Sequence, residues 1–150
     1  VTNPRYIPRD FAADPSEFGR KKNLEWTTVP TDATPRELAQ RDAAELQHLL
    51  CRGVLKLYMP ESNNTRIIKL AAALDMAYDR LQKMLSGRVV MQLEDIGRLR
   101  VLIGPRLDYW MLRGQSAETV RMIEDRMTQE HRARMQAGQQ PPQPRTPRPR

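Results

Sequence analysis

The 150-residue sequence has one cysteine, two histidines, few aromatics (5%) and no apolar run approaching the roughly 18 residues that a membrane span needs. Each shortage excludes something. Cys51 has no partner for an internal disulfide, and no Cys/His cluster offers metal ligands, so Cys51 reads as a small buried apolar residue in a reducing compartment. No GxGxxG or GxxxxGK[ST] loop is present to cradle phosphates. Glu94 with Asp95, and Glu124 with Asp125, are sequence neighbours, which do not share a helix face for paired acid–base work. His48 and His131 lack an evident Ser, Cys or metal partner. The expectation is therefore a protein that is not an enzyme and needs no cofactor, membrane or small-molecule ligand. The opening VTNPRYIPRD lacks the apolar centre of a secretory signal, which predicts a cytoplasmic protein.

What the sequence does contain is proline and positive charge. Twelve prolines gather mainly at the two ends, which leaves a folded middle of about 80 to 100 residues. The formal charge is +7 and the mean hydropathy −0.68. The excess is spread: residues 1–30 hold five basic and four acidic residues, 31–113 hold thirteen and ten, and 114–150 hold seven and four. An anionic partner is implied, with nucleic acid ahead of membrane, but no block is charged densely enough to bind by charge alone.

Four segments follow from the pattern. Residues 1–33, punctuated by Pro4, Pro8, Pro15 and Pro30, read as an irregular N-terminal arm. Its Tyr6, Phe11, Phe18 and Trp26 interleave with Arg5, Arg9, Arg20, Lys21 and Lys22, a pattern that suits packing on the core or tracking a phosphate backbone. Residues 34–113 read as an all-α domain. Thr34, Pro35 and Glu37 form an N-terminal capping box, and the helix they open runs to about Tyr58; Leu38, Ala39, Asp42, Leu46, Leu49, Leu50, Val54 and Leu57 include its mainly apolar face, and Gly53 weakens and bends it locally. PESNNTR is a loop. A second helix follows with Asn64 or Thr65 as its cap and Ile67, Ile68, Leu70, Ala71 and Leu74 as apolar positions.

The stretch LAAALDMAYDRLQKMLSGR does not continue as one helix, because Met76, Ala77 and Tyr78 interrupt the apolar face. A turn at Asp75 and Met76 resolves this, since Asp tolerates left-handed backbone. The third helix then spans about Ala77 to Leu85, turning Leu81, Met84 and Leu85 inward and closing at Ser86 and Gly87. LEDIGRLRVLIG gives a fourth helix that stops at Gly104 and Pro105, and RLDYWMLRG a short fifth one. Residues 114–138 read as a polar C-terminal helix capped by Ser116, with a thin stripe of Val120, Ile123 and Met127. Residues 139–150 form a disordered, basic, Pro-rich tail.

In residues 65–104, LAAALDM, AYDRLQKMLSG and LEDIGRLRVLIG resemble the lambda repressor, Cro and Xre-type helix-turn-helix family, with Asp75, Ala77 and Leu85 where the family more often has Gly, a hydroxyl residue and a polar residue. The resemblance implies a lambda-repressor-like bundle whose third helix lies in the major groove of double-stranded DNA. It places Tyr78, Asp79, Gln82 and Lys83 at base edges, and Arg66, Lys69, Arg80 and Arg88 at phosphates. It also implies a sequence-specific transcriptional regulator, a bacterial or phage repressor acting by operator occupancy and located on the nucleoid when bound. Family habit adds a homodimer, with residues 107–112 or the helix after Ser116 as candidate seams. The competing expectations are a protein-interaction module, such as an antitoxin or adaptor, with Tyr109 and Trp110 in an exposed patch, and nonspecific nucleic-acid binding by the arm and tail.

Overall fold

A computed structural model describes residues 6–58, 64–111 and 117–138. Among these the protein is helical, with no strand and one isolated antiparallel bridge between Ala12 and Trp26. Two compact units divide the chain, Val1–Arg113 and Gly114–Arg150.

In the first unit α1 spans Pro35–Leu57, α2 Asn64–Ala73, α3 Tyr78–Leu85 and α4 Leu93–Ile103. The capping box at α1 is complete: Glu37 N–H donates to Thr34 Oγ1 at 3.2 Å, and Thr34 N–H donates to Glu37 Oε2 at 2.8 Å. The buried face of α1 overlaps the expected apolar face only in part, at Leu50 and Val54. Ala44, Gln47, His48, Cys51 and Val54 point inward, while Leu38 is exposed and Leu46 and Leu49 are only half-buried. Gly53 does not interrupt α1. Its role is steric, because a Cβ there would meet Trp110 Cγ at 2.7 Å and Leu107 Cδ1 at 3.0 Å.

The fifth helix expected near Tyr109 is a 3-10 helix, Pro105–Met111, that packs on α1 through Leu107 and Trp110. Trp110 is not a free patch: the Arg52 guanidinium lies over its ring at 5.4 Å. A bidentate ion pair of Arg100 to Asp108, at 2.7 and 2.9 Å, ties this segment to α4.

Residues 6–33 are irregular, as their prolines require, yet they are packed. Backbone bonds from Ala13 to Glu25 and from Thr27 to Phe11, both 2.9 Å, close the segment on itself. Phe18 is 2% exposed and meets Trp26 and His48 edge-on, with ring centroids 6.3 and 5.4 Å away. The core thus runs from Ala12, Phe18 and Leu24 through Leu50 and Val54 to Leu70, Leu74, Leu81, Met84, Leu99 and Leu107.

The second unit is α5, Ala117–Ala137, with Ile123 and Met127 half-buried and the rest of residues 121–138 exposed. The expected cap Ser116, the side chain of Val120, the PESN part of the loop and the tail 139–150 lie outside the described residues. Asn64 and Thr65, expected as caps of the second helix, both lie within α2.

Candidate nucleic-acid interface

The α2–α3 junction is built from two left-handed stops in succession. At the end of α2, Asp75 has φ 50°, Asp75 N–H donates to Ala72 O at 3.2 Å and Met76 N–H to Ala71 O at 3.0 Å. At the end of α3, Gly87 has φ 73°, Gly87 N–H donates to Met84 O at 3.2 Å and Arg88 N–H to Lys83 O at 2.8 Å. Both are the paired closures that recapture the last carbonyls of a helix. Aspartate is the costlier occupant of the first, since an L side chain disfavours that backbone.

The cost is offset from α4. Arg98 Nη1 donates to Leu74 O at 3.1 Å and to Asp75 O at 2.9 Å, while its Nη2 is held by Glu94 at 2.9 Å. Arg98 was not among the residues the sequence singled out. Its i, i+4 spacing from Glu94 was the one visible signal, and the link to the turn, 23 residues away, was not.

At its far end α3 is held by α1. Gln47, 4% exposed, donates from Nε2 to Met84 O at 3.0 Å and Val89 O at 2.9 Å, and its Oε1 accepts from Met91 N–H at 2.9 Å. A hydrocarbon there would take from Val89 O and Met91 N–H their Gln47 partner, while Met84 O would keep Gly87 N–H at 3.2 Å. The N-terminal segment adds a second brace: Arg9 N–H donates to Gly87 O at 2.9 Å, and the Phe18 ring lies so close that a Cβ on Gly87 would meet it at 2.5 Å. Beneath it His48 Nδ1 accepts from Gly19 N–H at 2.8 Å. Burial, and then the Arg52 charge, push the His48 pKa down to about 4, so the ring is neutral.

This bracing turns one face of α3 inward, with Leu81, Met84 and Leu85 buried, and leaves the other outward. Of the candidate base readers, Asp79 and Gln82 are exposed, whereas Tyr78 and Lys83 are half-buried. Lys83 and Asp79 form an ion pair of 2.7 Å across one turn. Of the candidate phosphate contacts, Lys69 and Arg88 are exposed and Arg66 is half-buried. Arg80 donates to Asp95 Oδ2 at 2.7 Å, and Asp95, 5% exposed, also accepts from Gln92 N–H at 2.9 Å. Arg80 therefore joins the first turn of α3 to the first turn of α4.

Around α2 and α3, residues 66–88 carry five basic and two acidic side chains. The described residues hold no cluster of three or more His, Cys, Asp or Glu side chains suited to a metal ion, and no helix among them is long and apolar enough to cross a membrane. Comparison with protein-family models, with curated proteins and with solved structures gives no match.

Proposed function

We propose that the Val1–Arg113 unit reads double-stranded DNA with α2 and α3 as a lambda-repressor-like helix-turn-helix, and that the protein is a transcriptional regulator, a repressor acting by operator occupancy. The observation that carries this reading is α3 itself: a short helix begun after a left-handed turn, buried along Leu81, Met84 and Leu85, with Asp79 and Gln82 exposed on its other side. A helix held so firmly on one side and so polar on the other suits docking into a major groove.

In this reading Gln82 pairs with adenine, Lys83 donates to guanine and Asp79 accepts from cytosine N4, while Tyr78 touches a thymine methyl or a phosphate. Lys69 and Arg88, with Arg66, take phosphates and set register without reading sequence. Arg80 stays on Asp95 and brings its charge to the phosphates at the start of α3.

The test is selection of bound duplexes from a random library with the full chain, near physiological salt. An enriched motif is expected. Lys83→Ala should then change base preference at one position, while Arg88→Ala weakens binding to all sequences alike. Binding without enrichment would replace this reading by sequence-indifferent nucleic-acid binding, and absence of binding would replace it by a protein-interaction role.

A further inference from the structure

We propose that the loop of residues 19–22 is a second phosphate-binding patch for double-stranded DNA, in which Arg20 and Lys22 extend the backbone contacts made by Arg88. The choice of partner rests on the reading above. The placement of the patch rests on contacts that do not depend on it.

Residues 18 and 19 lie against the end of α3. A Cβ on Gly87 would meet the Phe18 ring at 2.5 Å, and a Cβ on Gly19 would meet Leu85 O at 2.5 Å and Cys51 Cβ at 3.2 Å. Gly19 is also left-handed, with φ 77°, so both its backbone and its surroundings favour glycine. Arg20 follows Gly19 and Arg88 follows Gly87. Each cation therefore leaves this contact one residue, a step of about 3.8 Å, beyond its glycine.

The loop is held in place by its backbone. Gly19 N–H donates to His48 Nδ1 at 2.8 Å, Arg20 N–H and Lys21 N–H donate to Glu17 O at 3.0 and 3.1 Å, and Lys22 O accepts from Arg52 Nη1 at 3.4 Å. None of these bonds uses a side chain of the loop, and Arg20, Lys21 and Lys22 are all exposed. A backbone fixed in advance lowers the ordering cost of binding.

The charges divide into one spent and two available. Lys21 pairs with Glu17 at 3.1 Å. Among the described residues Arg20, Lys22 and Arg88 have no acidic partner. Nor do they serve to cap α3, whose last carbonyls are taken by backbone and by Gln47. Lys83 O accepts from Arg88 N–H at 2.8 Å, Met84 O from Gly87 N–H at 3.2 Å and Gln47 Nε2 at 3.0 Å, and Gly87 O from Arg9 N–H at 2.9 Å. Cations left unneutralised beside one helix end suit an anion that touches all of them, as a phosphodiester backbone does. A lipid surface would need an apolar anchor among the charges, and residues 19–23, GRKKN, supply none.

The test measures duplex binding of the full chain against salt, by fluorescence anisotropy, for the wild type, the double variant Arg20→Ala with Lys22→Ala, and Lys21→Ala. Between about 50 and about 200 mM salt, the wild type should lose about tenfold more affinity than the double variant, the mark of two phosphate contacts, on random and enriched duplex alike. Lys21→Ala should change this loss far less. An unchanged salt dependence in the double variant overturns the patch, and so does an equal effect of Lys21→Ala, which would show that net charge rather than placement acts. Phosphatidylserine vesicles that bind the wild type and release the double variant, with duplex binding unchanged, would move the patch to a membrane surface. The α3 reading fails separately: no enriched motif, with the double variant still shifting the salt dependence, sinks base reading by α3 and keeps the patch. An enriched motif with no such shift does the reverse, and a wild type that binds no duplex overturns both.

Discussion

Arg98 donates to the carbonyl of Asp75 at 2.9 Å, so a helix outside the α2–α3 pair holds the turn that aims α3. The same guanidinium reaches Leu74 O and Glu94, which makes three bonds from one side chain. Arg98→Ala should cost about 1–2 kcal/mol, the range for a few partly exposed charged hydrogen bonds. Urea unfolding measures that loss. If α3 reads DNA, the variant should also lose more affinity for the enriched motif than for random duplex; an equal loss on both would deny Arg98 an aiming role.

Gln47 is the counterpart at the other end of α3. Gln47→Leu keeps the volume and removes the Gln47 bonds to Val89 O and Met91 N–H, while Met84 O loses one of its partners and keeps Gly87 N–H. The expected cost is about 2–4 kcal/mol. Hydrogen exchange should show the Met91 amide losing protection beyond the global change, and an unchanged unfolding midpoint would contradict the assigned bonds.

The ion pair of Asp79 with Lys83 masks a cation on the outward face of α3. Asp79→Asn removes one negative charge and frees Lys83. If α3 reads DNA, affinity for random duplex should rise and the slope of log affinity against log salt should steepen by about one contact, while preference for cytosine at the Asp79 position is lost. A mobility-shift titration across salt reads both effects. Weaker binding to every sequence would show that Asp79 itself makes a favourable contact.

His48 predicts a pH dependence with a definite sign. Its pKa is about 4 in the folded protein and near the ordinary 6.5 in the unfolded chain. Between these values the unfolded state binds the extra proton, so stability falls as pH drops through about 6.5 and the loss is complete near 4. The total is on the order of 3 kcal/mol. His48→Asn, whose Oδ1 can accept from Gly19 N–H, should flatten the part of the curve between pH 6.5 and 5. Parallel curves for the two proteins would remove His48 as the cause.

Gly87 joins a left-handed φ of 73° to the Phe18 ring. Gly87→Ala pays for both the backbone and the clash, and about 2–4 kcal/mol of destabilisation is expected in chemical unfolding. Gly97→Ala, with open space above it, should by contrast be neutral or stabilising by under about 1 kcal/mol.

Local signals carried most of what the sequence revealed. Thr34, Pro35 and Glu37 announce the start of α1 because a capping box is written in four consecutive residues, and Asp75 and Gly87 announce the ends of α2 and α3 because backbone handedness constrains residue type. The long-range contacts left no such trace. Gln47 reaches residues 37 to 44 positions away, and His48 reaches Gly19 across 29. Leu50 and Val54 marked the inward face of α1 correctly, but a polar pair, Gln47 and His48, lies on it with Ala44 and Cys51, and the neighbouring leucines Leu38, Leu46 and Leu49 drew the expected face partly aside. The N-terminal prolines forecast irregular backbone, yet composition does not say whether an irregular segment packs on the core, which Ala12, Phe18 and Leu24 do here.

The two left-handed stops also act as a ruler. Between Asp75 and Gly87 only eight residues are helical, which is about 12 Å of axis. Base pairs advance about 3.4 Å each, so a groove-bound α3 spans three to four of them. Lengthening the helix would require replacing a stop, and both are tied to other elements, Asp75 to Arg98 and Gly87 to Arg9 and Phe18. If α3 reads DNA, the length of the word it can read is therefore set by contacts outside the helix itself.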